Sequence, residues 1–235
     1  MPKNPKQATT SIAFENWNLA LFDCMLREYV IDGDVDYDKF KEDHAFSEFI
    51  EQTGRVDRDS LITRQQKLSF YINAYNALVI RGIIDGYSPA SFFRRLQFFL
   101  LRKYRIAGER LSLFAIERKR IIPLGDPRSH FAINCASASC PLLASESFNA
   151  EDLDQQLETA EARFVRSATV SSGSATRTSR IFKWYKNEFE AASGGVAAFI
   201  SRYAEPLPEG DTAATPAGKI QYDKYDWSLN GKPPT

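Results

Sequence analysis

Apolar side chains recur at helical spacing along most of the chain. In the first such segment, one helix face is marked by residues three or four positions apart: Phe14, Trp17, Leu21 and Met25. The strongest pattern runs from about residue 63 to 85 and stops at Gly86, a residue typical of helix ends. Further helices are predicted at about 39–52, from Ser88 onward, and at 112–121, 149–167, 184–189 and 196–203.

Strand signals are short and few. A hairpin is predicted over 103–113 around Ala107-Gly108, and strands are predicted at 130–135 and near Val170 and Ile181. This balance predicts an α+β fold, helix-rich, with a small and mostly antiparallel sheet. The expected core positions on the strongest helix and the 130–135 segment are Phe70, Ile72, Ala77, Leu78, Phe131 and Ile133.

The length of 235 residues allows one large domain, and no internal boundary is visible. We therefore predict a disordered polar segment over 1–11 and a single domain over 12–235. The N-terminal residues lack the apolar core of a secretory signal, which favours a cytoplasmic protein. The alternative is an exported protein whose signal has been removed. The longest apolar stretch, 68–80, is too short to span a membrane.

Thirty basic and thirty acidic residues cancel, so no nucleic-acid partner is expected. One local patch interleaves Arg94, Arg95, Arg102, Lys103 and Arg105 with phenylalanines. Two interpretations apply to it: a helix that contacts phosphate or a membrane, and an amphipathic helix with a solvated basic face. The second is the commoner arrangement and is favoured here.

Candidate chemistry concentrates where one imidazole and two thiols fall within eleven residues, at His130, Cys135 and Cys140. Strand alternation would put His130 and Asn134 on one face and Cys135 on the other, as a small buried side chain. Cys140 lies beyond a loop of small residues, 136–139, and is free to return toward His130. A thiolate–imidazolium pair would result, with loop N–H groups available to an oxyanion.

Supporting groups for such a pair can be named. Asp226 or Glu117 would orient the His130 imidazole, and Asn73 or Asn76 would polarise a substrate carbonyl. The two asparagines share a polar stripe on the apolar helix, where an unpaired amide costs about 1–3 kcal/mol. The other interpretation of the stripe is a structural network that holds a neighbouring segment.

No metal or cofactor is expected. His130, Cys135 and Cys140, with Glu117 or His44 as a fourth ligand, are spaced unlike the paired ligands of structural zinc sites.

Four blocks of sequence resemble the DUF547 family, in the family's order: Phe70–Leu78, Asp126–Pro141, Ile181–Tyr185 and Tyr225–Asn230. With the intervening segments the resemblance extends over about residues 30–230. It implies a single globular domain that occurs alone in bacterial proteins and as a module in larger eukaryotic ones. The family carries no established function, so it implies no catalytic assignment. This chain departs from the expected Ile-Glu-His at Arg118, where a histidine is replaced.

Membership of these blocks also draws attention to Arg128 and Trp227 as candidate substrate-binding residues. Two hypotheses follow. The first is a thiol-dependent hydrolase or acyltransferase with Cys140 as nucleophile and His130 as base. The second is a non-catalytic module whose cleft binds a peptide or a small molecule.

Overall fold

Helices dominate the computed structural model, which describes residues 10–172, 175–203 and 219–235. With 56% helix and 12% strand, it confirms the predicted helix-rich α+β class. The helices are α1 (Leu19–Tyr29), α2 (Tyr37–Glu42), α3 (His44–Arg55), α4 (Arg64–Ile84), α5 (Phe92–Leu96), α6 (Leu113–Ile116), α7 (Ser129–Ala132), α8 (Leu153–Ala168), α9 (Ile181–Trp184), α10 (Lys186–Ser193) and α11 (Val196–Ser201). Single 3₁₀ turns lie at Phe14–Asn16, Arg58–Ser60 and Ile122–Leu124, and π-helical turns extend α5 and α6 at Gln97–Leu101 and Glu117–Ile121.

The strands of the described residues form three small sheets. The pairs β1 (Val30–Ile31) with β2 (Asp34–Val35) and β3 (Tyr104–Ile106) with β4 (Glu109–Leu111) are antiparallel hairpins. In the third sheet, β6 (Ala175–Thr178) pairs antiparallel with β5 (Thr169–Ser172) and parallel with β7 (Lys219–Tyr222). The predicted hairpin and the strand near Val170 are therefore confirmed. The strand predicted near Ile181 is wrong, because that residue begins α9.

Helix α4 is buried on all sides, from Leu68 to Ile80. Its start is fixed by a capping box, in which the Thr63 side chain accepts from the Gln66 amide and the Gln66 side chain accepts from the Thr63 amide. A helix that is apolar all round is stable only inside a protein. The predicted span is confirmed to within one residue at each end.

Buried side chains form two clusters. The larger surrounds α4 and includes the N-terminal helices, and the smaller joins α8 to α9, α10 and α11 around Phe131. The clusters meet at α7, because Phe131 belongs to the smaller and Ile133 to the larger. All six residues predicted to be buried are buried. Most of the predicted disordered segment, residues 1–9, lies outside the described residues, and the 12–235 domain boundary stays a prediction.

Two amides on α4 act as backbone partners for other segments. The Asn73 side chain donates to the Phe148 carbonyl at 2.7 Å and accepts from the Phe148 amide at 3.0 Å. The Asn76 side chain donates to the Ala132 carbonyl and accepts from the Asn134 amide, both at 2.9 Å. The predicted network beside the His130 segment is confirmed for Asn76, whereas Asn73 holds a different loop. Both amides are used by backbone groups, as the structural interpretation of the stripe requires.

None of the described helices has the length and apolar character that a bilayer span demands.

We expect Asn73→Ala to lower the free energy of unfolding by about 2 kcal/mol, because the buried Phe148 amide and carbonyl lose their partner. Urea denaturation measures the change. The exposed Asn187 on α10 supplies a control, since Asn187→Ala should alter stability by less than about 0.5 kcal/mol. Equal effects of the two substitutions would contradict a structural role for Asn73.

Candidate functional site

The segment predicted as a strand begins instead with one helical turn, α7. The turn is started by Asp126, whose side chain accepts from the Arg128 amide at 3.1 Å and whose carbonyl accepts from the Ser129 hydroxyl at 2.7 Å. These local bonds outweigh the strand preference of the sequence that follows. Strand alternation therefore does not apply here, and the placement of Cys135 on the face opposite His130 loses its basis.

Beyond α7 the chain folds into a tight loop organised by Asn134. Its side chain donates to the Pro141 carbonyl and accepts from the Ala136 amide, both at 2.7 Å. Ala136 has a φ of 61°, in the left-handed region, which lets the chain turn back sharply. The loop closes as predicted, but it delivers the Cys140 sulfur to the Cys135 amide at 2.9 Å and not to the imidazole.

Sequence analysis did not identify Asn134 as a site residue. The available signal was an asparagine before a run of small residues, which is typical of a turn.

Most amides of the small-residue loop are already used. Ala138 and Ser139 donate to the carbonyls of Ser228 and Asp226, and the Ala136 amide donates to the Asn134 side chain. Of the oxyanion donors expected from residues 136–139, only the Ser137 amide is directed at a thiol, the Cys135 sulfur. The loop is pinned by the C-terminal segment rather than opened toward a substrate.

Of the two adjacent thiols, Cys135 is the more polarised. Its sulfur lies 3.0 Å from the Ser137 hydroxyl and 3.3 Å from the Tyr225 hydroxyl. The hydrogen bond from Cys140 lowers the pKa of Cys135, and the two hydroxyls add to this effect against the opposing influence of burial. The pKa of Cys140 is raised, first by burial and then by the neighbouring Cys135 sulfur. The polarised thiol is thus Cys135, where sequence analysis predicted Cys140.

His130 is buried and electrically neutral near pH 7. Its ring stacks on Tyr185 with centroids 3.7 Å apart, and its Nδ1 atom has no hydrogen-bond partner among the described residues. Burial, with a smaller contribution from the Arg118 charge, lowers the pKa of His130 to about 3. Within the described chain, no hydrogen bond links the imidazole to either thiol.

Neither candidate carboxylate orients the imidazole. Asp226 is exposed, and its side chain accepts from the Ser228 amide at 2.9 Å. Glu117 is buried and accepts from the Tyr185 hydroxyl at 2.5 Å, and burial raises its pKa.

Arg128, the candidate substrate-binding residue, is paired with Asp126 at 2.9 Å and Asp154 at 2.6 Å, and it does not line the cavity described next.

Both thiols line a cavity of about 360 Å³ whose wall is predominantly aromatic and aliphatic. Trp184, Tyr225 and Trp227 pack together on one side, with ring centroids 4.5–5.7 Å apart. The cleft position predicted for Trp227 agrees with this arrangement. The wall also includes His130 and Glu117. Sequence analysis missed further residues of the wall: Phe92, Leu96, Phe99, Leu100 and Phe114.

The protein is thus a helix-rich α+β protein with a pair of thiols in the wall of an apolar cavity. Residues 60–165 match a family model described as "Protein of unknown function, DUF547". The predicted resemblance is therefore confirmed for this part of the chain, which holds the first two sequence blocks and both thiols. The blocks at 181–185 and 225–230 lie beyond the match. No curated protein and no solved structure matches the chain.

The burial of His130 predicts a pH dependence of stability. Its pKa is 6.5 in a free state and about 3 when folded, so the unfolded chain binds a proton more readily between these values. The free energy of unfolding should therefore fall as the pH drops, by about 2 kcal/mol from this residue between about pH 7 and pH 5. Urea denaturation of His130→Phe should lack this contribution, whereas the exposed His44→Gln should retain it. The same pH slope in both variants would contradict the prediction.

Proposed function

We propose that this protein is a binding module for a small apolar ligand, which occupies the cavity between α5, α6, α9 and the Tyr225–Trp227 segment. The observation that carries the proposal is the character of the wall: its exposed surface is mostly apolar, and its volume of about 360 Å³ lies within the range of ligand pockets. An apolar group that leaves water for such a space gains about 25 cal/mol per Å² buried.

The few polar groups in the wall suit this ligand class. The Tyr185 hydroxyl donates to Glu117. The raised pKa of Glu117 lowers the free-energy cost of placing this residue beside an apolar ligand. His130 is neutral because burial lowers its pKa. Arg95 lies over the Trp227 ring at 4.5 Å and supplies a cation to the wall. A ligand with an apolar body and a single anionic or polar end therefore fits best.

Acyl transfer by a thiol is the second candidate function, and the lowered pKa of Cys135 favours it. The Ser137 hydroxyl donates to the Tyr225 oxygen, and the Tyr225 hydroxyl, which lies 3.3 Å from the sulfur, keeps its proton because burial raises its pKa. In the first step the Cys135 sulfur forms a bond to the acyl carbon of the substrate as the ester or thioester bond breaks. The proton of the Cys135 thiol ends on the departing alcohol or thiol. Water then cleaves the acyl-cysteine, releasing the acid and restoring the thiol.

Binding ranks ahead of acyl transfer because the supporting machinery for the latter is missing from the described residues. The imidazole is not paired with a thiol, and three of the four loop amides expected to hold an oxyanion already have other acceptors. A thiol without a paired base and with a single free loop amide is a weak catalyst.

Ligand binding can be followed through Trp184 and Trp227, which line the cavity. Titration with dodecanoate should change their fluorescence and saturate. We expect Phe114→Glu to weaken binding at least about tenfold, because it places a charge in the apolar wall. Leu142→Glu is the control, since Leu142 is 46% exposed against 44% for Phe114 but lies outside this cavity. Unchanged binding by Phe114→Glu, or the absence of saturation, would refute a ligand site here.

Thiol reactivity tests the second candidate. In a Cys24→Ser background, which removes the exposed thiol, the rate of iodoacetamide labelling at Cys135 should rise with a midpoint below the ordinary thiol pKa of about 8.5. Cys140→Ala should move the midpoint upward, because the largest contribution to the lowered pKa is lost. Peptide mass spectrometry identifies the labelled residue. Labelling at Cys140 alone, or a midpoint that Cys140→Ala leaves in place, would exclude Cys135 as the activated thiol.

A further inference from the structure

The segment Phe92–Leu101, which consists of α5 and the π-helical turn after it, presents a row of large apolar side chains to solvent. The exposed fractions along this row are 67% for Phe92, 79% for Phe93, 40% for Leu96, 42% for Leu100 and 65% for Leu101. Other exposed apolar side chains, such as Ile31, Ile62 and Val170, lie far apart along the chain. A contiguous apolar surface in water is costly and marks a site of interaction.

The row is held in place from beneath. Phe98 is fully buried against α4, so close to Gly82 that a Cβ added there would lie 2.3 Å from the Phe98 ring. Arg102 then ends the segment by donating to the Asp85 carboxylate and the Tyr87 hydroxyl. With Phe98 fixed inward, Phe92, Leu96 and Leu100 follow one another at a spacing of four and share a face, and Phe93 and Leu101 are exposed beside it. The exposure of these side chains therefore follows from firm docking of the segment rather than from loose packing.

The segment that carries the row has charge of one sign. Between Gly86 and Gly108 the chain has five basic residues and no acidic one, although basic and acidic residues are equal in number over the whole sequence. Among these, Arg94 and Lys103 are exposed, and neither forms an ion pair with a carboxylate of the described residues; Arg105 is exposed too but packs beside Gly54, away from the row. An apolar row flanked by unpaired cations is complementary to a surface that is apolar below and anionic above. The headgroup region of an anionic bilayer has this character.

The row also borders the cavity. Phe92, Leu96 and Leu100 contribute both to the exposed row and to the cavity wall, and Phe93 and Leu101 lie outside the wall. A surface that covers the row therefore covers the mouth of the cavity. This continuity favours a lipid surface over a protein that carries no apolar ligand.

We propose that Phe92–Leu101 is an interfacial docking surface for an anionic phospholipid bilayer. The apolar row enters the boundary between headgroups and acyl chains, and Arg94 and Lys103 contact lipid phosphates and carboxylates. The interaction requires no spanning helix. Docking is independent of the proposed ligand-binding function, although it would place the cavity mouth against the source of an apolar ligand.

Sedimentation with vesicles tests the proposal on the full chain. The protein should bind vesicles that contain about one third phosphatidylserine in phosphatidylcholine, and it should bind pure phosphatidylcholine vesicles several-fold more weakly. Phe93→Ser/Leu101→Ser should reduce binding at least about tenfold. Its control is Ile31→Ser/Ile62→Ser, which removes equally exposed apolar side chains elsewhere, at 69% and 70% exposure, and should bind as the unaltered protein does.

The charge contribution has its own pair of variants. Arg94→Glu/Lys103→Glu should abolish the preference for phosphatidylserine, whereas Arg166→Glu/Lys232→Glu, at exposed positions outside the segment, should preserve it. Rising salt should weaken binding of the unaltered protein to the anionic vesicles. Because Phe93 and Leu101 do not line the cavity, their variant should still bind dodecanoate, which separates a failure of docking from a failure of the ligand site.

Three results would overturn the proposal. One is the absence of vesicle binding, and another is equal binding by the Phe93/Leu101 and Ile31/Ile62 variants. The third is a stable dimer in light scattering that Phe93→Ser/Leu101→Ser converts to a monomer, which would assign the surface to a second copy of the chain.

Discussion

The Asn76 amide on α4 holds the segment that carries both thiols. By donating to Ala132 and accepting from the Asn134 amide, it satisfies backbone groups that would otherwise be buried without partners. Asn134 then closes the following loop through Pro141 and Ala136. The positions of the Cys135 and Cys140 sulfurs follow from these hydrogen bonds. The bonds of Asn76 fix the backbone before Cys135, and the bonds of Asn134 fix the loop that leads to Cys140. The helix that forms the centre of the larger cluster is thereby also the support of the site.

Burial without charge pairing sets the chemistry around the cavity. Among the described residues no carboxylate pairs with His130, which is neutral, and burial raises the pKa of Glu117 although Tyr185 donates to it. The thiols differ because the hydrogen bond from Cys140 and the nearby hydroxyls lower the pKa of Cys135, whereas burial and the Cys135 sulfur raise the pKa of Cys140. An environment of this kind disfavours charged intermediates and favours apolar occupants. This is the physical basis for ranking ligand binding above acyl transfer, and it accounts for the aromatic character of the wall.

The exposed apolar row on Phe92–Leu101 and the cavity beside it both depend on how Phe98 packs. Phe98 fills the space left by Gly82, and the neighbouring side chains are directed either outward or along the cavity mouth. Arg95 follows the same geometry, because it reaches back over Trp227 while Arg94 faces solvent. The basic residues interleaved with phenylalanines are thus divided among structural and exposed roles, a division that their spacing alone does not reveal.

Local chemistry in the sequence determined the helix-rich α+β class, the span and caps of α4, the hairpin around Gly108 and the burial of Phe70, Ile72 and Phe131. These features depend on periodicity and turn residues that act over a few positions. Tertiary structure alone decided that α7 is a helical turn, that Cys140 returns to Cys135, and that Asp226 faces Ser228 rather than the imidazole. It also brought Phe92 and Leu96 into the wall with Tyr225. Each of these outcomes depends on contacts between residues distant in sequence or on competition between local hydrogen bonds. The spacing of residues along the sequence reveals neither the contacts nor which bond forms.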